Sequence, residues 1–301
     1  MKRVIVTGAN GFIGSSFIKK LVKEGIKVVA IDVTFAHSHL PVSPLITTIE
    51  TSIDRDLVSI IPTLDYDAFY HFAWRGVNGE EKADPIVQIE NVRMAIVCAM
   101  ICKKIDCKRL LCAGTIAEQS INSLSSLAKV SGGMLYGVGK HCTHLFLEAY
   151  CKNIGIEFVW LQFSNIYGIG NLTGNLVSYT LMEIIAGREA TFGPALQPYD
   201  FIYIDDLIEA VYRLGDANIT QNTYFIGSDT PHLLKDYLTR IGELVFHPDK
   251  IKIGVRTDDG IRYDMSMFDI APLVQDIGEY VKCPFDEGII KTYQWINDTH
   301  R

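Results

Sequence analysis

The fold of this chain is decided by the stretch Val4-Ile5-Val6-Thr7-Gly8-Ala9-Asn10-Gly11-Phe12-Ile13-Gly14. Its first four residues suit a buried parallel strand, and the spacing of apolar residues then becomes helical over residues 15–24. Three glycines mark the change, at the spacing GxxGxxG. The sequence therefore predicts a strand that turns sharply into a helix.

The three glycines suit a turn that binds a dinucleotide. Gly8 permits the tight turn, Gly11 lets the backbone approach a pyrophosphate, and Gly14 lets the helix pack closely on the strand. The exposed N–H groups and the positive end of the helix attract phosphate. We therefore expect a dinucleotide site at this turn.

A second strand is predicted over residues 27–32, and it ends in Asp32, about 20 residues beyond the glycines. A carboxylate at this place accepts hydrogen bonds from the ribose hydroxyls and repels a 2′-phosphate. No Arg or Lys follows Asp32 before Arg55. NAD is therefore favoured over NADP as the cofactor.

The composition is that of an ordinary globular protein. The chain has 301 residues, of which 48% are hydrophobic and 21% charged, and it is long enough for one large domain or two moderate ones. Its net charge of −7, without clustered Lys and Arg, argues against general nucleic-acid binding. Because no apolar run approaches the ~20 residues of a membrane span, and the glycine turn interrupts the apolar start, we expect a cytoplasmic protein.

Seven cysteines raise the question of a metal or disulfide framework. Four of them lie close in the sequence, at Cys98, Cys102, Cys107 and Cys112, but their spacing lacks the CxxC pairs of a zinc site. They lie in apolar helix and strand patterns, so we expect buried free thiols and no metal site. The odd number argues against a secreted disulfide framework.

Strand-like and helix-like segments alternate through the first half, which is typical of a parallel sheet covered by helices on both faces. The predicted strands cover residues 45–49, 67–73, 108–115, 157–162, 199–204, 223–226 and 252–253. The predicted helices cover residues 54–60, 84–103, 134–153 and 176–187, with three more starting at Asp205 as a cap, at Leu233 and at Asp286. Residues 120–131 are predicted to be a flexible loop.

This pattern predicts an α/β fold with a doubly wound, Rossmann-like parallel sheet and a smaller, interleaved C-terminal substrate domain. The expected dinucleotide-binding domain is residues 1–163, to which residues 199–227 return. The expected substrate domain is residues 164–198 and 228–301.

The chemistry is predicted to lie in Tyr136, Lys140 and Thr115. Tyr136 and Lys140 are four residues apart on a predicted helix, so they share one face and the ammonium would lower the pKa of the phenol. Such a tyrosine can take a proton from a sugar hydroxyl, or return one to a carbonyl, while hydride passes to or from nicotinamide. Thr115 ends a strand at the carboxyl edge of the sheet, where its hydroxyl can position the reacting oxygen.

These motifs together resemble the extended short-chain dehydrogenase/reductases of the nucleotide-sugar epimerase/dehydratase family. The residues that carry the resemblance are 7–14, Asp32, 71–73, Asn91 with Val92, Thr115, Tyr136 with Lys140, 165–168 and 200–206. The resemblance implies an NAD-dependent enzyme that acts on a nucleotide sugar. It also implies a homodimer that pairs through the helices that include the Tyr136 helix.

The resemblance implies further site residues. The residues expected to bind NAD are Gly8, Asn10, Gly11, Phe12, Ile13, Gly14, Asp32, Phe72, Ala73, Asn91, Tyr136 and Lys140. The expected substrate contacts are Thr115, Asn165, Leu176, Tyr199 and Arg256. Many family members carry, in place of Tyr199, an Arg that meets the diphosphate, so that contact is expected from Arg256 or Arg262.

The family's 4,6-dehydratases place Asp-Glu directly after the Thr, whereas Ile116 and Ala117 follow Thr115, which disfavours the elimination of water. The expected reaction is therefore hydride transfer at the sugar C4. Residues 71–76 and 114–118 slightly favour a reductase of 4-keto-6-deoxy-sugar nucleotides, and Asp32 favours the alternative, a 4-epimerase that retains NAD. An alternative of another class is a non-catalytic NAD-sensing protein, against which the catalytic residues argue.

Overall fold

A computed structural model describes residues 1–127, 130–258 and 260–299. The strands are β1 (Arg3–Thr7), β2 (Lys27–Asp32), β3 (Ile46–Glu50), β4 (Ala68–His71), β5 (Arg109–Thr115), β6 (Glu157–Phe163), β7 (Asn165–Tyr167), β8 (Ala190–Thr191), β9 (Pro198–Tyr199), β10 (Phe201–Tyr203), β11 (Thr223–Ile226), β12 (His232–Leu233) and β13 (Ile251–Lys252). The α-helices are α1 (Phe12–Lys23), α2 (Pro85–Lys104), α3 (Gly132–Ile154), α4 (Leu176–Ile185), α5 (Ile204–Leu214), α6 (Leu234–Leu244), α7 (Ala271–Ile277) and α8 (Phe285–Thr299).

Seven of these strands form one parallel sheet in the order β11-β6-β5-β4-β1-β2-β3. The order reverses between β1 and β4, because the chain extends the sheet first in one direction and then in the other. Ligands of doubly wound sheets bind at the carboxyl ends of the strands beside such a reversal. The predicted α/β fold is confirmed, and its binding crevice lies where the glycine turn follows β1.

The sheet buries apolar side chains on both faces, as the near-continuous apolar strands require. Along β1, Val4 and Val6 face a core layer shared with α1 and α5, and Ile5 faces a second layer shared with α2 and α3. All three residues are fully buried. Alternation within a single strand therefore fixes which helices cover which face.

Helix α2 is unusually apolar, and its position in the core of the fold explains this composition. In the described part of the chain it alone has the length and composition to cross a membrane, so the expectation that no apolar run approaches a membrane span is wrong for this helix. Half of its most apolar window is buried inside the protein. Cys98 and Cys102 lie on its buried side, and Cys107 and Cys112 follow it, all four as buried free thiols. That burial is typical of a core helix, and the cytoplasmic location stays a prediction.

The segment predicted as a loop over residues 120–131 is largely a 3-10 helix, Ile116–Ser126, and residues 128 and 129 lie outside the described residues. The Ala117 N–H donates to the Thr115 hydroxyl (3.2 Å), and the Thr115 N–H donates to the Glu118 carboxylate (2.7 Å). This reciprocal capping box starts the helix, and it has a glutamate at the third position as such boxes require.

The strand predicted over residues 199–204 is divided into β9 and β10 around Asp200. The buried Asp200 carboxylate accepts hydrogen bonds from the N–H (3.0 Å) and the hydroxyl of Ser228, which holds the chain at that point. Tyr203 precedes helix α5 without a side-chain cap, and Asp205, the predicted cap, lies in the first turn instead. The division of the chain into two domains stays a prediction.

The start of α2 offers a direct test of local stability. The Asp84 carboxylate accepts from the N–H groups of Ile86 (2.8 Å) and Val87 (3.2 Å), as expected for a cap ahead of Pro85. We expect Asp84→Ala to lower the free energy of unfolding by about 1 kcal/mol because it leaves these donors unpaired. Urea denaturation measures the change. Asp84→Asn, which keeps an acceptor, is the matched control, and equal losses in both variants would contradict the cap.

Candidate active site

A cavity of about 420 Å³ lies at the carboxyl ends of β1, β4, β5 and β6. The predicted site residues that line it are Gly8, Gly11, Phe12, Ile13, Gly14, Phe72, Thr115, Tyr136, Lys140, Asn165, Leu176 and Tyr199. The predicted site residues outside this lining are Asn10, Asp32, Ala73, Asn91 and Arg256. The structure thus places the glycine turn and the three predicted catalytic residues around one space.

The glycine turn has the form that a pyrophosphate cradle needs. Gly8 has a φ of +68°, and a Cβ there would lie 2.6 Å from the Ala73 nitrogen. A Cβ on Gly14 would lie 2.0 Å from the Gly8 carbonyl oxygen. The first turn of α1 has neither a side-chain cap nor an acidic residue, so its N–H groups are left for an anion. The turn therefore fits the diphosphate of NAD.

Asp32 is held at the edge of the turn. Its carboxylate accepts hydrogen bonds from the Asn10 N–H (2.9 Å) and the Val33 N–H (2.8 Å). A second carboxylate, on Glu50, stands opposite Asp32 in the register of β2 and β3. Glu50 is not among the site residues predicted from the sequence, although parallel pairing of the two predicted strands brings their ends together. Two adjacent carboxylates disfavour a 2′-phosphate more strongly than one.

The three predicted catalytic residues meet at the end of β5. The Lys140 ammonium donates to the Ala113 carbonyl (2.6 Å), and its nitrogen lies 5.9 Å from the centre of the Tyr136 ring. The Thr115 side chain forms a hydrogen bond with the Tyr136 hydroxyl that lowers the pKa of the phenol. Lys140 is almost fully buried. The backbone of β5 therefore orients Lys140, and the Thr115 side chain orients Tyr136.

The electrostatics of the pair differ from the prediction. Burial raises the pKa of the Tyr136 phenol, and the Glu118 carboxylate raises it further. Burial also lowers the pKa of the Lys140 ammonium to about 7, against the opposing effect of Glu118. The expected lowering of the phenol pKa is wrong for this structure, because burial disfavours the charged form of both groups.

Two side chains that are not among the predicted site residues, those of Trp74 and Lys82, pack around the pair. The Lys140 nitrogen lies 3.7 Å from the centre of the Trp74 ring, and Trp74 meets the Tyr136 ring edge-on at 6.1 Å. The Trp74 indole N–H donates to the Gln88 side chain (3.0 Å), which fixes the ring. The Lys82 ammonium lies 5.2 Å from the centre of the Tyr136 ring. These contacts bury Lys140 and cover part of the Tyr136 ring.

Asn91 lies behind the site and not in its lining. Its buried amide accepts from the Arg75 N–H (2.8 Å) and donates to the Arg75 carbonyl (2.7 Å). Both hydrogen bonds hold the loop that follows β4, which carries Phe72 and Trp74 into the cavity. Asn91 therefore shapes the wall of the site, and its place beside the cofactor stays a prediction.

Arg256 lines a second cavity, of about 310 Å³, that adjoins the first. Leu176 and Tyr199 line both cavities, so the two form neighbouring compartments. Arg256 donates to the Tyr179 hydroxyl (2.7 Å) and to the Thr191 hydroxyl (2.9 Å). These hydrogen bonds point its guanidinium along the wall of the second compartment, where an extended ligand would continue from the first.

The first cavity limits the chemistry that the site can perform. Among the described residues that line it there is no Asp, Glu, His or Cys, and Lys140 is the one charged side chain. The nearby Glu118 carboxylate faces away from the cavity, because it accepts from the Thr115 N–H and from the Trp160 indole (3.1 Å). Proton transfer in the cavity therefore falls to Tyr136, supported by Thr115 and Lys140.

Comparisons with known proteins agree with this geometry. The model of the NAD dependent epimerase/dehydratase family matches residues 4–227. UDP-glucuronic acid decarboxylase 1 of Danio rerio is 23% identical over 308 residues, which are 98% of this chain and 73% of that protein. A putative UDP-glucose 4-epimerase of Methanocaldococcus jannaschii is 23% identical over 315 residues, 99% of each chain.

A solved structure shows the same fold over almost the whole chain. The UDP-N-acetylglucosamine 4-epimerase from Methanobrevibacter ruminantium M1, in complex with UDP-N-acetylmuramic acid, superposes with a TM-score of 0.82 and 21% identity. The superposition covers 99% of each chain. Together with the family match, it confirms the fold and the resemblance inferred from the sequence.

The acidic edge of the turn offers a test of cofactor choice. We expect Asp32→Asn to lower the preference for NADH over NADPH at least about tenfold, since bringing like charges together costs on the order of several kcal/mol. Fluorescence titration with each reduced cofactor gives the ratio of the dissociation constants. Asp249→Asn, an exposed carboxylate outside the site, is the control. An unchanged ratio in Asp32→Asn would contradict the role of Asp32.

Proposed function

Since the chain belongs to the NAD dependent epimerase/dehydratase family, we propose that it transfers a hydride between NAD and C4 of a nucleotide sugar. The observation that carries the proposal is the shared cavity of the glycine turn and Tyr136. Hydride transfer to a carbonyl needs one proton donor and acceptor beside the nicotinamide, and Tyr136 meets this need without a carboxylate.

Each of the three residues has a role in this reaction. Tyr136 accepts the proton of the sugar hydroxyl during oxidation and donates a proton to the ketone during reduction. Thr115 bonds the reacting oxygen beside Tyr136, and Lys140 holds the nicotinamide ribose. When bound, NAD supplies the hydride acceptor or donor, and in its oxidised form a positive ring that favours the phenolate.

The second compartment suits the nucleotide part of the substrate. Asn165 lines the first cavity, where its amide also donates to the Asp200 carbonyl (3.0 Å), and Leu176 and Tyr199 separate it from Arg256. We assign the diphosphate to Asn165 and Arg256, because a guanidinium donates to phosphate oxygens in a planar, paired geometry. Arg262 is paired with Asp258, so Arg256 is the better candidate of the two.

Two reactions fit this site. A 4-epimerase that oxidises and re-reduces its substrate with retained NAD is supported by the carboxylates of Asp32 and Glu50 and by the two epimerases named above. A reductase of 4-keto-6-deoxy-sugar nucleotides is supported by residues 71–76 and 114–118. The sequence Ile116-Ala117 and the carboxylate-free lining argue against a dehydratase. The arrangement of Tyr136, Thr115 and Lys140 argues against a non-catalytic NAD sensor.

One incubation distinguishes the two reactions. Purified protein is mixed with UDP-glucose or UDP-galactose without added cofactor, and separately with dTDP-4-keto-6-deoxyglucose and NADH. Interconversion of the first pair with retained NAD identifies the epimerase. Stoichiometric consumption of NADH with the keto sugar identifies the reductase.

The role of Tyr136 is tested in whichever of the two reactions the protein catalyses. We expect Tyr136→Phe to lower kcat at least about a hundredfold, the usual contribution of a general acid or base, and to leave NADH affinity unchanged. Steady-state rates and fluorescence titration measure both quantities. Tyr150→Phe, on the same helix outside the cavity, is the control. Turnover that survives in Tyr136→Phe would remove this residue from the mechanism.

We further propose that the chain forms a homodimer through α2 and α3. An apolar groove between these helices is lined by Ile89, Val92, Ile96, Met100 and Phe146 among others. Ile89 is 61% and Phe146 is 58% exposed, although both are large and apolar. Covering this face against a second copy would remove the apolar surface from water, which favours association.

The homodimer is tested at the centre of this groove. We expect Phe146→Glu to convert a dimer into a monomer, because it brings a charge to the apolar contact of each copy. Light scattering after size-exclusion chromatography measures the mass. Val42→Glu, a change at an exposed residue of the loop between β2 and β3, is the control. A wild-type protein with the mass of a single chain would contradict the homodimer.

A further inference from the structure

Glu118 lies outside the cavity and still contacts the residues that shape it. Resting on the proposed function, we propose that Glu118 is a positioning residue of the active site: its buried carboxylate holds the Thr115 backbone from behind β5 and serves as the counter-charge of Lys140. Glu118 itself touches neither the cavity nor the reacting atoms.

The carboxylate is built into the end of β5. Glu118 is 3% exposed, and one of its oxygens accepts from the Thr115 N–H at 2.7 Å. A Cβ on Gly114 would lie 2.8 Å from that oxygen and 2.4 Å from the Trp160 indole nitrogen. Gly114 lines the cavity on its other side. A single layer of backbone therefore separates the carboxylate from the reacting space.

The far side of the carboxylate is held by β6 and α3. The Trp160 indole N–H donates to both oxygens at 3.1 Å. The His144 ring stacks on Trp160 at 5.0 Å, and its Nδ1 lies 3.8 Å from a Glu118 oxygen. The other ring nitrogen of His144 shares a hydrogen bond with the Thr223 hydroxyl at 3.0 Å. These contacts leave the carboxylate one orientation, toward Thr115.

The charged groups that face Glu118 belong to the active site and to His144. Glu118 interacts with Lys140 and with Tyr136, and His144 is the nearest group on the outer side. The Lys140 ammonium and the Glu118 carboxylate bond to the same end of β5, at the Ala113 carbonyl (2.6 Å) and at the Thr115 N–H (2.7 Å), and the negative charge of Glu118 raises the pKa of Lys140. The pKa of Glu118 is raised to about 7 by burial, against the effects of the Thr115 N–H, Lys140 and Trp160. Burial lowers the pKa of His144.

The proposal is tested through the effect of the Glu118 charge on the pKa values of Tyr136 and Lys140. Glu118→Gln keeps an oxygen for the Thr115 N–H and removes the charge. Without this negative charge the Tyr136 phenolate is less disfavoured and the Lys140 ammonium is less supported, so the pKa values of both groups fall. Labelling of lysine at 13Cε follows the titration of Lys140 by NMR, and Lys140→Met assigns its signal. We expect the Lys140 titration to move to lower pH in Glu118→Gln.

The matched control is Glu148→Gln, which removes a carboxylate from the same helix as Tyr136 that bonds Lys152 and Asn222. It should leave the Lys140 titration in place. With the substrate that the incubation above identifies, Glu118→Gln should keep its NADH affinity, and the pH profile of its kcat should move to lower pH because the pKa of the Tyr136 phenol falls. A Lys140 titration that coincides in wild type and Glu118→Gln overturns the proposal.

A second variant keeps the proposal testable if Glu118→Gln does not fold. Lys140→Met removes the ammonium and keeps the length of the side chain, so the Glu118 titration, followed with 13Cδ-glutamate, should move to higher pH. An unchanged Glu118 titration overturns the proposal. Both titrations are measured without substrate. A wild-type protein without turnover would therefore count against the proposed function, and the titrations would still test the role of Glu118.

Discussion

The contact between the glycine turn and the loop after β4 is the constraint on which the site depends. Gly8 and Gly14 bring backbone against backbone at distances that no side chain allows. This contact places the start of α1 beside the loop that carries Phe72 and Trp74. The start of α1 and the walls of the first cavity are thus parts of one packed unit.

Burial is the second determinant of the site, because it disfavours the charged forms of the groups within it. Lys140 is almost fully buried and Tyr136 is partly buried, and burial makes the charged form of each group less stable. In such a site the pKa values of Tyr136 and Lys140 depend on charged groups that bind in the cavity or lie next to it. The positive ring of oxidised NAD is one such charge in the proposed reaction, and the Glu118 carboxylate is the other. In the proposed reaction the positive ring lowers the pKa of Tyr136 and the Glu118 carboxylate raises it.

The sequence predicted those features that follow from periodicity and from parallel strands. The strand over residues 27–32 has the predicted bounds, and Thr115 and the glycine turn meet because the carboxyl ends of parallel strands share one edge. The features that it did not predict depend on distant contacts. The break at Asp200 needs Ser228, and the pKa of Tyr136 reflects enclosure by Trp74 and the nearby Glu118.

A crystal structure of this protein with NAD bound tests the central claim most directly. We expect the pyrophosphate on the N–H groups at the start of α1 and the nicotinamide ring beside the Tyr136 hydroxyl, with its ribose on Lys140. A dinucleotide bound elsewhere, or a nicotinamide ring separated from Tyr136 by the wall of the cavity, would contradict the proposed hydride transfer.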